Sequence, residues 1–193
     1  MKRVCVFCGA NEGSRPVYRE QAIALGENLL RAKLGLVYGG SNVGLMGIIA
    51  DTVLEGGGEV IGVIPQALVS KEVAHRGLSD LRVVGSMHER KALMVDLSDG
   101  FIALPGGYGT FDELCEVLSW AQLGLHQKPV GVLNIAGYFD RLLAMLDHAA
   151  AERFLRPEHR RVLLEGGTSE ALLDSMREYV AVDVKKWITR AEG

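Results

Sequence analysis

Short apolar runs alternate along this chain with longer segments in which apolar residues recur every three or four positions. Such short runs are typical of buried strands, and the longer segments are typical of amphipathic helices. The pattern predicts strands at 4–8, 34–38, 59–64, 81–84, 101–104, 130–133 and 162–164. It predicts helices at 18–33, 44–55, 87–97, 112–123, 139–150 and 169–180, with an irregular polar connection over 66–80.

The predicted strands are almost continuously apolar, and most are separated from the next by a helix. Strands of this kind form parallel sheets that are buried on both faces, and right-handed crossovers place the helices on both sides. We therefore predict an α/β fold, a Rossmann-like doubly wound parallel sheet with helices on both faces. No linker interrupts the pattern, so residues 1–193 are predicted to form a single domain. Ligands of such sheets bind beyond the carboxyl ends of the strands.

The composition excludes several classes of protein. A hydrophobic content of 48% in 193 residues is typical of a globular domain with a sizeable core. The net charge of −3 provides no electrostatic basis for a nucleic-acid partner. No apolar segment is long enough to cross a membrane, and the first apolar run is too short for a signal peptide. We expect no nucleic-acid partner, no membrane partner and a cytoplasmic location.

Cysteine and histidine give no sign of a redox or metal centre. The chain has three cysteines, an odd number that argues against a disulfide framework. Cys5 and Cys8 form a C-x-x-C pair along a predicted strand, where their side chains would point to opposite faces as small buried residues. The five histidines lack the spacing of zinc ligands, so no metal site is predicted.

The clearest chemical signal lies in residues 101–113, Phe-Ile-Ala-Leu-Pro-Gly-Gly-Tyr-Gly-Thr-Phe-Asp-Glu. A buried strand leads into a glycine-rich turn and then into a helix. Free N–H groups and the dipole at a helix start attract phosphate, and glycines let the anion approach the backbone. The turn therefore predicts a phosphate site with Gly106, Gly107, Gly109 and the hydroxyl of Thr110.

Glu113 lies one helical turn beyond this site and has two interpretations. Thr110-x-x-Glu113 matches a capping box, in which the glutamate accepts a hydrogen bond from the threonine N–H. Alternatively, because a carboxylate repels phosphate, Glu113 would bind the ribose hydroxyls of a nucleotide. We expect Glu113 to stay ionised near the helix N-terminus. Glu116 lies on about the same helix face, and Asp112 is expected to be solvated.

Arg90 is the second candidate. Ser86-x-x-Glu89 is another capping box, which predicts a helix start just before Arg90. Arg90 shares an apolar stripe with residues 93, 94 and 97, and its side chain should lean toward the sheet edge where ligands bind. The alternative is a snorkelling or salt-bridged arginine. Lys91 lies about 100° around the helix and is expected to face solvent or a partner.

A second glycine turn occupies residues 39–47, Gly-Gly-Ser-Asn-Val-Gly-Leu-Met-Gly. It is neither G-x-G-x-x-G nor a nucleoside-triphosphate P-loop, which would require a lysine. The turn either forms a wall of the same ligand crevice or allows tight packing between a strand and a helix.

Together these segments resemble the Lonely Guy (LOG) family. Residues 105–113 fit its signature P-G-G-x-G-T-x-x-E, and both Met87-x-x-Arg90-Lys91 and the 39–47 turn are similar to further segments of that family. The resemblance implies a hydrolase that cleaves the N-glycosidic bond of AMP or of N6-substituted AMP, releasing adenine or an active cytokinin together with ribose 5-phosphate. It also implies a homodimer and no cofactor.

The resemblance further assigns roles to individual residues. It implies Arg90 and Glu113 as the catalytic pair, with Glu113 stabilising an oxocarbenium-like sugar. It implies that the nucleoside 5′-monophosphate is bound by the other matched residues, Gly39, Gly40, Gly44, Met87, Lys91, Gly106, Gly107, Gly109 and Thr110. Members of the family have also been labelled lysine decarboxylases, but no lysine here has a context that favours a pyridoxal Schiff base.

Two other functional classes could use a sheet of this kind. A non-catalytic nucleotide or cofactor carrier could use the same sheet and phosphate turn, but it would not need Glu113 and Arg90 together. A dinucleotide-dependent oxidoreductase is disfavoured because G-x-G-x-x-G is absent.

Trp120, Leu123 and residues 124–126 offer apolar surface that a dimer could bury or that ordinary core packing would use.

Overall fold

Seven parallel strands form one sheet in the computed structural model, which describes residues 1–69, 74–75, 77–78 and 80–182. The strands are β1 (Arg3–Phe7), β2 (Gly35–Tyr38), β3 (Val60–Pro65), β4 (Asp80–Val84), β5 (Gly100–Ala103), β6 (Val130–Leu133) and β7 (Leu163–Gly166). The helices are α1 (Pro16–Arg31), α2 (Gly44–Glu55), α3 (Gln66–Val69), α4 (Met87–Leu97), α5 (Tyr108–Gln122), α6 (Asp140–Ala151), α7 (Pro157–Arg160) and α8 (Ser169–Arg177), with a 3₁₀ turn at Ile135–Gly137. Within these ranges, no helix combines the length and apolar character needed to cross a bilayer.

The order of the strands reverses beside β1. The sheet runs β4-β3-β2-β1-β5-β6-β7, so the chain builds outward from β1 to β4 and then returns to add β5 on the other side of β1. Strands β1 and β5 pair in register from Val4↔Gly100 to Phe7↔Ala103. Reversals of this kind open a crevice beyond the carboxyl ends of the two strands. The predicted doubly wound α/β fold is confirmed.

Two apolar cores cover the sheet because successive residues of each strand point to opposite faces. In β1, Val4 and Val6 lie in the core formed with α1, α2 and α8, whereas Cys5 and Phe7 lie in the core formed with α4, α5 and α6. Cys8 belongs to the first core and Cys5 to the second, and both are buried free thiols. The prediction of small buried residues for the C-x-x-C pair is confirmed.

Most predicted bounds agree with the structure, and the largest difference is at α5. This helix begins at Tyr108 instead of residue 112, with extended Gly107 (φ −97, ψ −153) at its N-cap and no capping side chain. The capping-box interpretation of Thr110 and Glu113 is therefore wrong, because a glycine occupies the cap position. By contrast, the hydroxyl of Ser86 does accept a hydrogen bond from the Glu89 N–H at 3.1 Å.

The connection between β3 and β4, predicted as irregular over 66–80, begins as the short helix α3. Residues 70–73, 76 and 79 of that connection lie outside the described residues. His75 ties the connection to the sheet and to α2. Its N–H donates to the Gly40 carbonyl at 3.1 Å, and its Nε2 lies 2.8 Å from Oδ1 of Asp51.

Part of the apolar surface proposed near the end of α5 packs within the chain. Trp120 packs against the core on the α4–α5–α6 side of the sheet. The His126 ring lies 5.3 Å from the Phe101 ring, and its Nε2 is 2.8 Å from the carbonyl oxygen of Val117. The contacts of these two residues agree with the core-packing alternative.

Gly44 tests how closely α2 approaches the loop after β1. Its φ is +58, and an added Cβ would overlap the backbone of Ala10 and Asn11. We expect Gly44→Ala to lower the free energy of unfolding by about 3 kcal/mol, since left-handed strain and overpacking add.

The control is Gly57→Ala. Gly57 also has a positive φ, +74, but an added Cβ would meet nothing within 4 Å. This variant should lose only the strain contribution, about 1 kcal/mol. Urea denaturation of both variants measures the difference, and equal losses would contradict the close approach at Gly44.

Candidate active site

A cavity of about 420 Å³ opens where the carboxyl ends of β1 and β5 meet. Its walls are the loop of residues 8–13 after β1, the turn of residues 105–110 after β5, and side chains from α1, α2, α4 and α5. The Gly9 N–H donates to the Pro105 carbonyl at 3.1 Å and joins the two loops. The crevice therefore lies at the reversal of strand order, as the topology requires.

The turn after β5 presents a group of unused donors. The Gly107 carbonyl accepts from the Phe111 N–H at 3.1 Å, which closes the first turn of α5. Within the described part of the chain, no hydrogen bond engages the N–H groups of residues 106–110 or the Thr110 hydroxyl. A Cβ on Gly106 would overlap that hydroxyl, so the glycine lets Thr110 pack against the turn. Such a group of N–H donors at a helix start binds anions.

Arg90 lies beneath the same edge of the sheet and is 6% exposed. Its Nε donates to the Val63 carbonyl and its Nη2 to the Gly39 carbonyl, both at 3.1 Å. A Cβ on Gly39 would overlap Nη2, so this glycine makes room for the guanidinium. Nη1 has weaker contacts, 3.9 Å to Sδ of Met87 and 4.0 Å to Oε1 of Glu113. Nη1 is therefore the part of the cation best placed to bind a ligand.

Glu113 faces Arg90 from α5 and is 9% exposed. Burial raises the pKa of its carboxyl to about 7, opposed by the positive charge of Arg90 and raised further by Asp112. The expectation that Glu113 simply stays ionised at the helix N-terminus is therefore wrong, because loss of water outweighs the neighbouring positive charges. Near neutral pH this carboxyl exists in both protonation states.

Lys91 does not face solvent, contrary to that expectation. Its Nζ lies 3.0 Å from Oδ2 of Asp112 and 3.0 Å from Oε1 of Glu116, and its side chain is 11% exposed. Desolvation lowers the pKa of Lys91, but the hydrogen bonds to these two carboxylates outweigh it and the net pKa is raised. Lys91 faces the carboxylates of α5, which lies alongside this side of α4.

The structure brings together part of the predicted site. The predicted residues that line the cavity are Arg90, Gly106, Gly107, Gly109, Thr110 and Glu113. The predicted residues that lie outside its lining are Gly39, Gly40, Gly44, Met87 and Lys91. The three glycines of this second group lie against Arg90, Leu81 and Ala10 respectively, as the packing alternative for the 39–47 turn expects. Leu45 and Met46 of the same turn line the cavity, as the crevice alternative expects.

Sequence reasoning missed the remaining walls. The loop of residues 9–13, Tyr18 and Tyr138 also line the cavity. The rule that ligands bind beyond strand ends could have identified the 9–13 loop, because it follows β1 directly. No local signal marks Tyr138, whose hydroxyl donates to the Gly106 carbonyl at 2.5 Å across 32 positions of sequence.

Comparison with known proteins supports the resemblance. Residues 46–176 match the family model described as possible lysine decarboxylase. A probable cytokinin riboside 5′-monophosphate phosphoribohydrolase of Oryza sativa subsp. japonica is 52% identical over 181 residues, covering 94% of this chain and 80% of that protein. A cytokinin riboside 5′-monophosphate phosphoribohydrolase of Arabidopsis thaliana is 47% identical over 178 residues, covering 92% of this chain and 82% of that protein.

Solved structures share the fold at lower identity. The molybdenum cofactor binding protein from the phototrophic bacterium Rippkaea orientalis aligns with a TM-score of 0.68 and 23% identity, covering 92% of this chain and 97% of that one. This likeness concerns the fold alone. The sequence identity to the plant proteins, by contrast, extends over nearly the whole chain. The chain therefore belongs to the Lonely Guy (LOG) family of cytokinin riboside 5′-monophosphate phosphoribohydrolases.

Proposed function

We propose that this protein hydrolyses the N-glycosidic bond of AMP or of N6-substituted AMP and releases the free base and ribose 5-phosphate. The observation that carries the proposal is the arrangement within one cavity of the N–H donors of residues 106–110 and the buried pair Arg90–Glu113. The names of the plant relatives support the substrate class. No cofactor is part of the proposal.

In this proposal the 5′-phosphate binds the N–H groups of the turn after β5 and the Thr110 hydroxyl. Both the helix dipole and these donors favour the anion. Glu113 is one helical turn along α5 from Thr110, so an anchored phosphate directs the ribose toward its carboxyl. Binding energy from the phosphate, remote from the bond that breaks, then orients the sugar for reaction.

Glu113 supports the reaction as a carboxylate. As the C1′–N bond breaks, the base leaves with the bonding pair and takes up a proton, and positive charge develops on the sugar. The carboxylate stabilises that charge, and with a pKa of about 7 it accepts a proton from the water that forms the new bond to C1′. Arg90, held by two backbone carbonyls, supplies a fixed positive charge for the anionic substrate.

The site favours a hydrolase over a lysine decarboxylase and over a non-catalytic carrier. Among the described residues the cavity lining includes no lysine, and Lys91 is paired with two carboxylates that favour its protonated form. This disfavours a lysine Schiff base and therefore a decarboxylase. A carrier needs the phosphate turn, but it has no need of a buried carboxyl with a pKa of about 7 beside an arginine.

We also propose that the protein is a cytoplasmic homodimer without nucleic-acid or membrane partners. Similarity to the short dimeric members of the family supports the dimer. The net charge of −3 supports the absence of a nucleic-acid partner. Light scattering of the purified protein measures the oligomeric state.

The first test of this function is Glu113→Gln. We expect kcat for adenine release from AMP to fall by about 100-fold or more, because the amide neither carries negative charge nor accepts a proton. The affinity for ribose 5-phosphate should change little. Chromatography of AMP after incubation measures the product, and calorimetry measures the affinity.

The same variant should be more stable than the wild type at pH 8, by about 1–3 kcal/mol. The pKa of Glu113 is raised from 4.5 to about 7 by folding, so its contribution to stability is complete below about pH 4.5 and is lost as pH rises from there through 7. The matched control is Asp112→Asn, whose exposed ion pair contributes little, and its activity should stay within about twofold of wild type. Near-normal activity of folded Glu113→Gln would refute the role of this carboxylate.

The pH profile tests the ionisation state. We expect kcat/KM to rise with pH through about 7, because Glu113 acts as a carboxylate. Lys91 lowers the pKa of Glu113, so Lys91→Met should move this rise to higher pH. The phosphate of AMP also ionises, near pH 6, but this variant leaves that ionisation unchanged. A raised KM with an unmoved pH profile would show instead that Lys91 binds substrate.

A further inference from the structure

We propose that Tyr138 is a positioning residue that locks the peptide bond between Gly106 and Gly107, so that the turn presents its N–H donors to the phosphate. The inference rests on the proposed function, because it assigns the phosphate affinity of that site in part to a side chain outside the family signature. Tyr138 lies in the segment between β6 and α6, far in sequence from the turn that it contacts.

The carbonyls of residues 105, 106 and 107 each have one hydrogen-bond partner among the described residues. The Pro105 carbonyl accepts from the Gly9 N–H, and the Gly107 carbonyl accepts from the Phe111 N–H, both at 3.1 Å. Between them, the Gly106 carbonyl accepts from the Tyr138 hydroxyl at 2.5 Å. The first two bonds belong to the backbone framework. The middle carbonyl is held by a side chain.

On its Gly107 side, the peptide that Tyr138 holds has little else to fix it. It is flanked by two glycines, which permit rotations that other residues resist. An added Cβ at Gly107 would meet nothing within 4 Å, so packing does not restrain this side of the peptide. Because the peptide is planar and trans, the Gly107 N–H points opposite to the Gly106 carbonyl. Holding the carbonyl therefore fixes the direction of that donor.

Loss of this bond would affect anion binding twice. Rotation of the peptide would turn the Gly107 N–H away from its present direction. It would also bring the Gly106 carbonyl oxygen toward the side that the N–H had occupied. A carbonyl oxygen repels phosphate, whereas the N–H attracts it. The consequence concerns the phosphate and leaves the groups that face the sugar, Arg90 and Glu113, in place.

The segment that carries Tyr138 is built to hold its side chain in position. Ala136 and Gly137 both have positive φ values, +52 and +74, a conformation that is unfavourable for alanine. The Asn134 side chain braces the bend, accepting from the Phe139 N–H at 2.8 Å and donating to Asp140 at 2.8 Å. Backbone strain that the surroundings maintain in this way is found at functional positions.

The Tyr138 ring also connects the two walls of the cavity. It packs edge-on against Tyr18, with ring centroids 6.0 Å apart and planes at 80°. The Tyr18 ring in turn supports the loop after β1, because an added Cβ on Gly13 would lie 2.7 Å from it. Tyr138 thus contacts the β5 turn through its hydroxyl and the β1 side through its ring. The ring packs against Tyr18, and the hydroxyl donates the hydrogen bond that holds the Gly106 carbonyl.

The variant Tyr138→Phe separates these two contributions, because it keeps the ring and removes only the hydroxyl. We expect its affinity for ribose 5-phosphate to fall by about 3- to 10-fold, the effect of one neutral hydrogen bond. The KM for AMP should rise by a similar factor, with kcat within about twofold of wild type. The inhibition constant of free adenine, which carries no phosphate, should not change.

The control is Tyr38→Phe. The Tyr38 hydroxyl is buried and has no hydrogen-bond partner among the described residues, so its loss should leave both affinities unchanged. Unaltered binding of ribose 5-phosphate by Tyr138→Phe would overturn the inference, and so would equal weakening of adenine, which indicates general damage to the site. If the wild-type protein neither binds ribose 5-phosphate nor releases adenine from AMP, the proposed function itself fails. A loss confined to the phosphate-bearing ligand supports the lock.

Discussion

The hydrogen bond between the Gly9 N–H and the Pro105 carbonyl joins two strand ends that are far apart in the sequence. It forms because β1 and β5 are parallel neighbours in register, so their carboxyl ends reach the same edge of the sheet. The loops that follow these strands must then diverge, one toward each face, and the space between them is the cavity. The anion-binding turn, Arg90 and Glu113 all line this cavity.

The electrostatics of the cavity depend on how its arginine is held. Arg90 donates two of its hydrogen bonds to backbone carbonyls and lies 4.0 Å from Glu113, beyond hydrogen-bond distance. The carboxyl is therefore buried without a hydrogen bond to its counter-ion, and desolvation has the largest effect on its pKa. A buried carboxyl in this state lowers stability at alkaline pH, which is a cost that functional sites accept. Lys91, which is fully paired by Asp112 and Glu116, provides a contrast on the neighbouring position of the same helix.

The fold and the site carry different information about function. A molybdenum cofactor binding protein has the same fold at 23% identity, which shows how widely this sheet is used. The plant phosphoribohydrolases share about half of their aligned residues with this chain. The family model is described as possible lysine decarboxylase, but the cavity lining among the described residues contains no lysine. The chemistry of the site therefore distinguishes between these functions, whereas the fold does not.

What the sequence by itself determined is what depends on neighbouring positions. Apolar periodicity predicted the strands and helices, and the spacing of glycines before α5 predicted a group of anion-binding donors. The apolar stripe beside Arg90 predicted that its side chain is buried at the sheet edge. These features follow from local geometry, because a helix or strand repeats over a few residues and a turn needs its own glycines.

Only the tertiary structure decided the rest, because it depends on groups that are distant in sequence. The raised pKa of Glu113 results from burial by several elements, and no local pattern records the loss of water. The pairing of Lys91 depends on the surface of α5, and the hydroxyl that holds Gly106 comes from beyond β6. The sequence identified which residues have suitable chemistry, and packing set their charge, partners and orientation.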